Sequence, residues 1–189
     1  MIAAGWDAVH DGRAAFRACL RAMCQPGQPV GGLPRAGLAE EPLLDAATAV
    51  LLALLDAGVG LAVWGGERAR AVGADLVRLT GAAPAPVCDA DFVLIDRDEV
   101  GAAGEARRGS ALRPEAGATL IYAGDWPPVG TVLQGPGIEH PTVAQLALPP
   151  GELSLLAAAA SAPPAGLDAF LVSPAGLTAL PRSVVAASR

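Results

Sequence analysis

The sequence contains no lysine: all 13 of its basic residues are arginine. A genome biased towards arginine codons accounts for the absence, but the chemical consequence holds whatever its origin. Without a lysine amine the chain cannot form a side-chain Schiff base with pyridoxal phosphate or with a carbonyl substrate. Nor can it build a Walker A loop, whose lysine reaches the terminal phosphates. Cysteine and histidine are scarce too, at three and two residues. Cys19, Cys24 and Cys88 contain no C-x-x-C pair, which excludes an iron–sulfur cluster ligated by this chain alone and gives poor material for a disulfide framework. His10 and His140 lie far apart and show no zinc-ligand spacing, so no metal is expected. Aromatics make up only 4% of the residues. No apolar run reaches the ~18 residues of a membrane helix; the strongest stretch, Ala46 to Leu55, has ten. The N-terminus shows neither the basic nor the apolar region of a signal peptide. Basic charge is in deficit, 13 against 19 acidic residues and a net charge of −6. That balance argues against a nucleic-acid binder. The expectation is a soluble cytoplasmic protein with reduced thiols.

What remains is a chain of 189 residues, 52% hydrophobic, long enough to bury a sizeable core in one domain spanning residues 1–189. That core is built from Ala, Leu and Val. The 23 glycines and 17 prolines mark frequent turns.

The periodicity predicts a first helix from Asp11 to Cys24, with Phe16, Cys19, Leu20 and Met23 on one apolar face and Arg13, Arg17 and Arg21 on another. Pro26-Gly27 ends it, and a Gly/Pro loop runs from Gln28 to Pro42. A second, buried helix follows from Leu43 to Leu55, a strand over Leu61–Trp64, and a third helix over Glu67–Leu79, weakened at Gly73. Phe92–Ile95 reads as a strand and Asp96–Arg113 as a polar, partly helical stretch. Ala118–Tyr122 and Thr131–Leu133 read as paired strands, Leu153–Ala160 as a helix. Ala169–Val172 and Leu177–Leu180 form a hairpin. The pattern gives an α/β fold with a mixed β-sheet flanked by helices.

None of these residues assembles a catalytic constellation. No G-x-S-x-G elbow and no G-x-G-x-x-G fingerprint occurs. Cys19 sits on an apolar helix face as a packed thiol. In Gly135-Pro136-Gly137 the proline removes an N–H that a phosphate cradle would use, which favours a plain turn. The Arg13/Arg17/Arg21 stripe is either a solvated helix face or a docking surface. Glu115, in the tight turn Pro114–Thr119, is either solvated or a buried carboxylate paired to an arginine such as Arg182.

Several segments together resemble a known family. They are Phe16-Arg17-x-x-Leu20-x-Ala22-Met23-x-x-Pro26-Gly27 and Ala47-Thr48-Ala49-Val50-Leu51-Leu52-Ala53-Leu54. They continue with Pro114-Glu115-Ala116-Gly117-Ala118-Thr119-Leu120 and Leu133-Gln134-Gly135-Pro136-Gly137-Ile138. Gly166-Leu167-Asp168 before a strand and a late Pro181-Arg182 complete the set. Their order and spacing resemble the H subunit of the bacterial carbon–phosphorus lyase system, the PhnH family, from about Val9 to Ser188. The family pattern has Ser where this chain has Cys24 and Thr where it has Ser183.

The resemblance implies a fold like that of the pyridoxal-phosphate-dependent transferases with the cofactor lost. It implies a non-catalytic subunit working with the carbon–phosphorus lyase subunits G, I and J, and a homodimer when isolated. The family's pathway transfers an alkylphosphonate onto the ribose of ATP with loss of adenine, giving ribose 1-methylphosphonate 5-triphosphate; a separate radical subunit later cleaves the C–P bond. The residues singled out as structural or interface candidates are Arg17, Glu115, Gly117, Thr119, Gly135, Gly137 and Arg182. A second reading stays open: a stand-alone enzyme or sensor that binds a nucleotide or phosphonate in a residual cofactor-like pocket.

Overall fold

The computed structural model describes residues 5–96 and 99–188. Residues 1–4, Arg97, Asp98 and Arg189 lie outside the described residues, and with them part of the N-terminal stretch and of the Asp96–Arg113 segment.

The chain runs through α1 (His10–Cys24), α2 (Pro42–Leu54), β1 (Gly60–Trp64), α3 (Glu67–Thr80), β2 (Ala83–Pro84) and β3 (Phe92–Asp96). It continues with α4 (Ala102–Glu105), a 3₁₀ turn (Pro114–Ala116), β4 (Thr119–Ala123), β5 (Pro128–Gly135) and β6 (Ile138–Ala147). α5 (Glu152–Ala159), β7 (Asp168–Ser173), β8 (Gly176–Leu180) and β9 (Val185–Ser188) complete it. A six-stranded sheet has the order β2-β1-β3-β4-β7-β8, and a three-stranded sheet the order β6-β5-β9. The first five strands of the large sheet are parallel; β8 returns antiparallel from β7 through the expected hairpin.

Side chains of a strand alternate between faces, and this alternation builds two cores. Leu94, Ile121, Phe170 and Val172 face the layer formed by α1, α2 and α3. Ile95, Leu120, Tyr122 and Leu171 face the opposite side, where they meet Leu156 of α5 and Leu133 and Leu146 of the small sheet. Strands covered on both faces read as continuous apolar runs, which is why β1, β3, β4 and β7 were legible in the sequence. Helix α2 opens on Pro42, and the Glu41 carboxylate accepts from the Leu44 N–H at 2.6 Å. Helix α3 continues through Gly73, which lies against Val63 of β1.

Two expectations need correction, the pairing of two strands and the buried face of α1, and two further features were read only in part or not at all. Ala118–Tyr122 and Thr131–Leu133 are strands, but they do not pair: β4 lies between β3 and β7, while β5 pairs with β6 and β9. The burial patterns explain it, since β4 is nearly all buried whereas β5 alternates, with Thr131 and Leu133 inside. The ten-residue strand β6 was unforeseen. It is an edge strand, mostly exposed and interrupted by Pro141, a residue that sheet edges tolerate, so it shows no apolar run. Among the described residues of Asp96–Arg113 only the single turn α4 is α-helical. Finally, α1 buries Ala15, Ala18, Cys19 and Ala22, leaving Phe16 and Leu20 exposed. Small side chains let α1 approach α2 and β8 closely, and the large ones fall outside that contact.

Candidate functional site

The Pro114–Ala116 turn delivers the chain into β4 at the centre of the large sheet. The Gly117 N–H closes the turn on the Pro114 carbonyl at 3.0 Å, and two arginines donate further hydrogen bonds to the carbonyls of this segment. Arg182 donates from Nη1 to the Pro114 carbonyl and from Nη2 to the Gly117 carbonyl at 3.3 Å. Its Nε donates to Asp168 Oδ2 at 2.9 Å, and its backbone N–H to Asp168 Oδ1 at 2.8 Å. Asp168 and Arg182 are only 16% and 18% exposed. From the other side Arg107 donates through Nε to the Ala116 carbonyl and through Nη2 to Asp91. Asp91 in turn accepts from the Gly60 N–H at 2.8 Å, which joins the clamp to β1.

Gly117, Thr119 and Arg182 are therefore brought together: Thr119 stands in register with Asp168, and a Cβ on Gly117 would lie 2.7 Å from Arg182 Nη1 and collide with the Gly166 carbonyl. Only glycine fits that approach. Of the two readings of Glu115, the structure shows the solvated one. Its carboxylate is exposed and lies 3.6 Å from Arg113 Nε, while the guanidinium of Arg182 is taken by Asp168 and two carbonyls. Two backbone carbonyls and the Asp168 carboxylate occupy that rigid guanidinium fork, which leaves no donor for the flexible, solvated Glu115. Gly135 backs onto Ser183 and Val184, directly after Arg182. Gly137 has φ +84°, and a side chain there would strike the Cys24 carbonyl at 2.7 Å. It turns the chain from β5 into β6 against the end of α1, so Gly135-Pro136-Gly137 is the turn its sequence suggested. Arg17 is remote from all of these, exposed on α1.

A second constellation lies where β1 and β3 end. In open parallel sheets ligands bind outside the carboxyl ends of the strands, where the strand order reverses. Here a cleft of about 480 Å³ is lined by Trp64, Gly65, Arg70, Cys88, Glu99 and Glu105, among others. Next to it Arg68 Nη2 donates to both oxygens of the buried Asp96, at 3.1 and 2.8 Å. One guanidinium against two carboxylates gives the cleft no surplus of positive charge for a polyanion. Farther along the same side, buried Glu152 accepts from Tyr122 Oη at 2.6 Å and from the N–H groups of Gly101 and Ala103. Burial first, then the Glu152 carboxylate beside it, push the Tyr122 phenol well above its ordinary range.

The segments that interlock around Arg182 and Gly137 lie within one continuous family match. Residues 4–187 match the family described as bacterial phosphonate metabolism protein (PhnH). The chain belongs to the PhnH family. It is also 34% identical over 183 residues to a Stutzerimonas stutzeri protein provisionally named C-P lyase subunit protein HtxG, an alignment covering 94% of this chain and 86% of that protein. The PhnH segments thus owe their residue types to packing: glycines where backbones touch, and an arginine that holds turn carbonyls.

Sequence reasoning missed Arg107, Asp91, Arg68 and Asp96. A signal existed for the last two, since Gly65-Gly66 joins an apolar strand to a helix and Asp96 ends the next parallel strand. Among the described residues no group of three or more His, Cys, Asp or Glu is arranged to hold a metal ion, and no helix is long and apolar enough to cross a membrane. Cys19 is buried, and burial pushes its thiol up to about 12, whereas Cys24 and Cys88 are exposed. Only thiolates react readily. Alkylation of the native protein should modify Cys24 and Cys88 within minutes and Cys19 only after denaturant is added, with mass spectrometry of the digest as the measurement. Native labelling of Cys19 at the same rate would contradict its buried position.

Proposed function

We propose that this chain, folded as one PhnH domain, is a non-catalytic subunit of a carbon–phosphorus lyase core complex in the cytoplasm, assembling with subunits G, I and J. The complex transfers an alkylphosphonate to C1′ of the ribose of ATP. The new C1′–O bond replaces the bond to adenine, which leaves, giving ribose 1-methylphosphonate 5-triphosphate. The name carried by the Stutzerimonas stutzeri relative supports assignment to such a complex. The observation that carries the non-catalytic part is the state of the buried carboxylates. Asp45, Asp96 and Glu152 are each at most 3% exposed, and each is held by donors from its own scaffold. A carboxylate so engaged holds structure together and is not free to act as a base. The sheet with helices on both faces is compatible with a transferase-type fold that has lost its cofactor, and the missing lysine fits that loss. In isolation the chain is proposed to form a homodimer, which light scattering at micromolar concentration tests.

Deleting the gene should abolish growth on methylphosphonate as sole phosphorus source and leave growth on phosphate intact. The purified protein, given ATP and methylphosphonate, should release no adenine. Adenine release by the protein alone would overturn the proposal in favour of a stand-alone enzyme working in the cleft at the strand ends.

A further inference from the structure

The outward face of α1 carries two adjacent rows. Arg13, Arg17 and Arg21 recur every four residues and are all exposed. Beside them Val9, just before the helix, and Phe16 and Leu20 are 72%, 44% and 49% exposed. At 100° per residue the apolar row falls immediately next to the arginine row, which runs for about 12 Å along the helix.

The arginines are uncommitted. Among the described residues Arg35, Arg68, Arg78, Arg107, Arg113 and Arg182 each meet a carboxylate, whereas no ion pair or hydrogen bond engages Arg13, Arg17 or Arg21. The nearby acids are turned to the start of the helix. Asp7 Oδ1 accepts from the Val9 and His10 N–H groups, and Asp11 Oδ2 accepts from the Asp7 N–H. Three free guanidiniums in a row, on a chain whose acidic residues outnumber its basic ones 19 to 13, call for carboxylates from elsewhere. A cleft of about 400 Å³ beside them, closed by Gly31 and Gly32, has room for a free anion. A free anion leaves Val9, Phe16 and Leu20 in water, however, whereas an amphipathic protein segment covers both rows.

We infer that this face of α1 docks an acidic amphipathic segment of another subunit. Its carboxylates take the guanidinium forks, and its apolar side chains bury Phe16 and Leu20 as central anchors. The inference rests on the proposed role as a subunit of a complex.

The test is co-expression with the G, I and J subunits, one of them tagged, using wild type, R13E/R17E/R21E and F16S/L20S. All the altered side chains are exposed, so melting temperatures should stay within about 2 °C of wild type. Both variants should fall at least tenfold in retention on the tagged complex. Wild-type binding should weaken steeply with added salt, and that of R13A/R17A/R21A should be nearly insensitive to it. Failure of wild type to assemble overturns the proposed function and this inference together. Wild-type assembly with undiminished variants overturns this inference alone. Two further results overturn it while variant assembly persists: loss of inorganic triphosphate binding marks an anion site, and conversion of a dimer to a monomer marks contact with a second copy.

Discussion

Replacing Arg182 by methionine should destabilise the protein by about 3 kcal/mol, as expected when one partner of a buried ion pair is removed. For a chain of this length that corresponds to a fall of about 10 °C in melting temperature. Methionine fills much of the same volume, so the loss reads on the polar contacts. Arg182 joins Asp168 at the start of β7 to the carbonyls of Pro114 and Gly117 ahead of β4. Its removal leaves a carboxylate only 16% exposed without its cation and takes a donor from each of two turn carbonyls. Lysine should not rescue the variant, because one ammonium cannot reach a carboxylate and two carbonyls in the fixed geometry of a guanidinium fork. Replacing Glu115 by alanine should shift the melting temperature by less than about 2 °C, since exposed pairs such as Arg113–Glu115 contribute little. Thermal unfolding followed by circular dichroism checks all three. Equal losses in the Arg182 and Glu115 variants would show that the turn is held by the carboxylate.

The legible parts of the fold were those where one strong signal dominated. Leu61–Trp64, Phe92–Ile95 and Ala169–Val172 are buried on both faces, so their apolar runs announced strands whatever their neighbours. Strand pairing had no such signal. Thr131–Leu133 follows Ala118–Tyr122 closely in sequence, yet β4 takes its partners from β3 and β7, because a parallel sheet is joined through crossovers that local pattern does not encode. Edge strand β6 faces solvent over most of its length and gave neither an apolar run nor a clean alternation. In α1 the spacing of Phe16, Cys19, Leu20 and Met23 named a face only partly buried: Cys19 and Met23 pack inside, whereas Phe16 and Leu20 stay exposed because alanines pack closer to α2 and β8 than larger side chains could.

The candidate site was legible in its parts and not in its connections. Gly117, Thr119, Gly135, Gly137 and Arg182 stood out as residues of recurring segments, and all but Gly137 converge on the Arg182 clamp or the residues next to it. Glu115 drew attention as the charged residue of the turn, although it was the turn's carbonyls that needed a donor, and backbone acceptors leave no trace in a sequence. Arg107 and Asp91 lie far enough apart in the chain that only the folded sheet pairs them.

Replacing Asp45 by alanine should have an effect of similar size, about 3 kcal/mol at neutral pH, as several buried donors lose a charged acceptor together. Asp45 is fully buried in α2 and folds the preceding loop onto the helix. Its Oδ2 accepts from Arg35 Nε at 2.8 Å and from the Ala36 N–H at 3.1 Å; its Oδ1 accepts from the N–H groups of Leu38 at 2.9 Å and Ala39 at 3.3 Å. Burial by itself would raise the carboxyl's pKa, but the Arg35 guanidinium and the Ala39 and Leu38 N–H groups outweigh burial and leave it below its ordinary value of 3.8. Because the folded value is the lower one, the unfolded chain takes up the proton first as pH falls. The contribution of Asp45 is then complete above about pH 4 and drains away below it, down through the folded-state value. Urea unfolding of wild type and of Asp45→Asn should therefore give free energies that differ most near neutral pH and converge in acid. A difference that stays constant from neutral pH to about pH 2 would mean that the carboxylate's charge contributes nothing and that packing alone explains the loss.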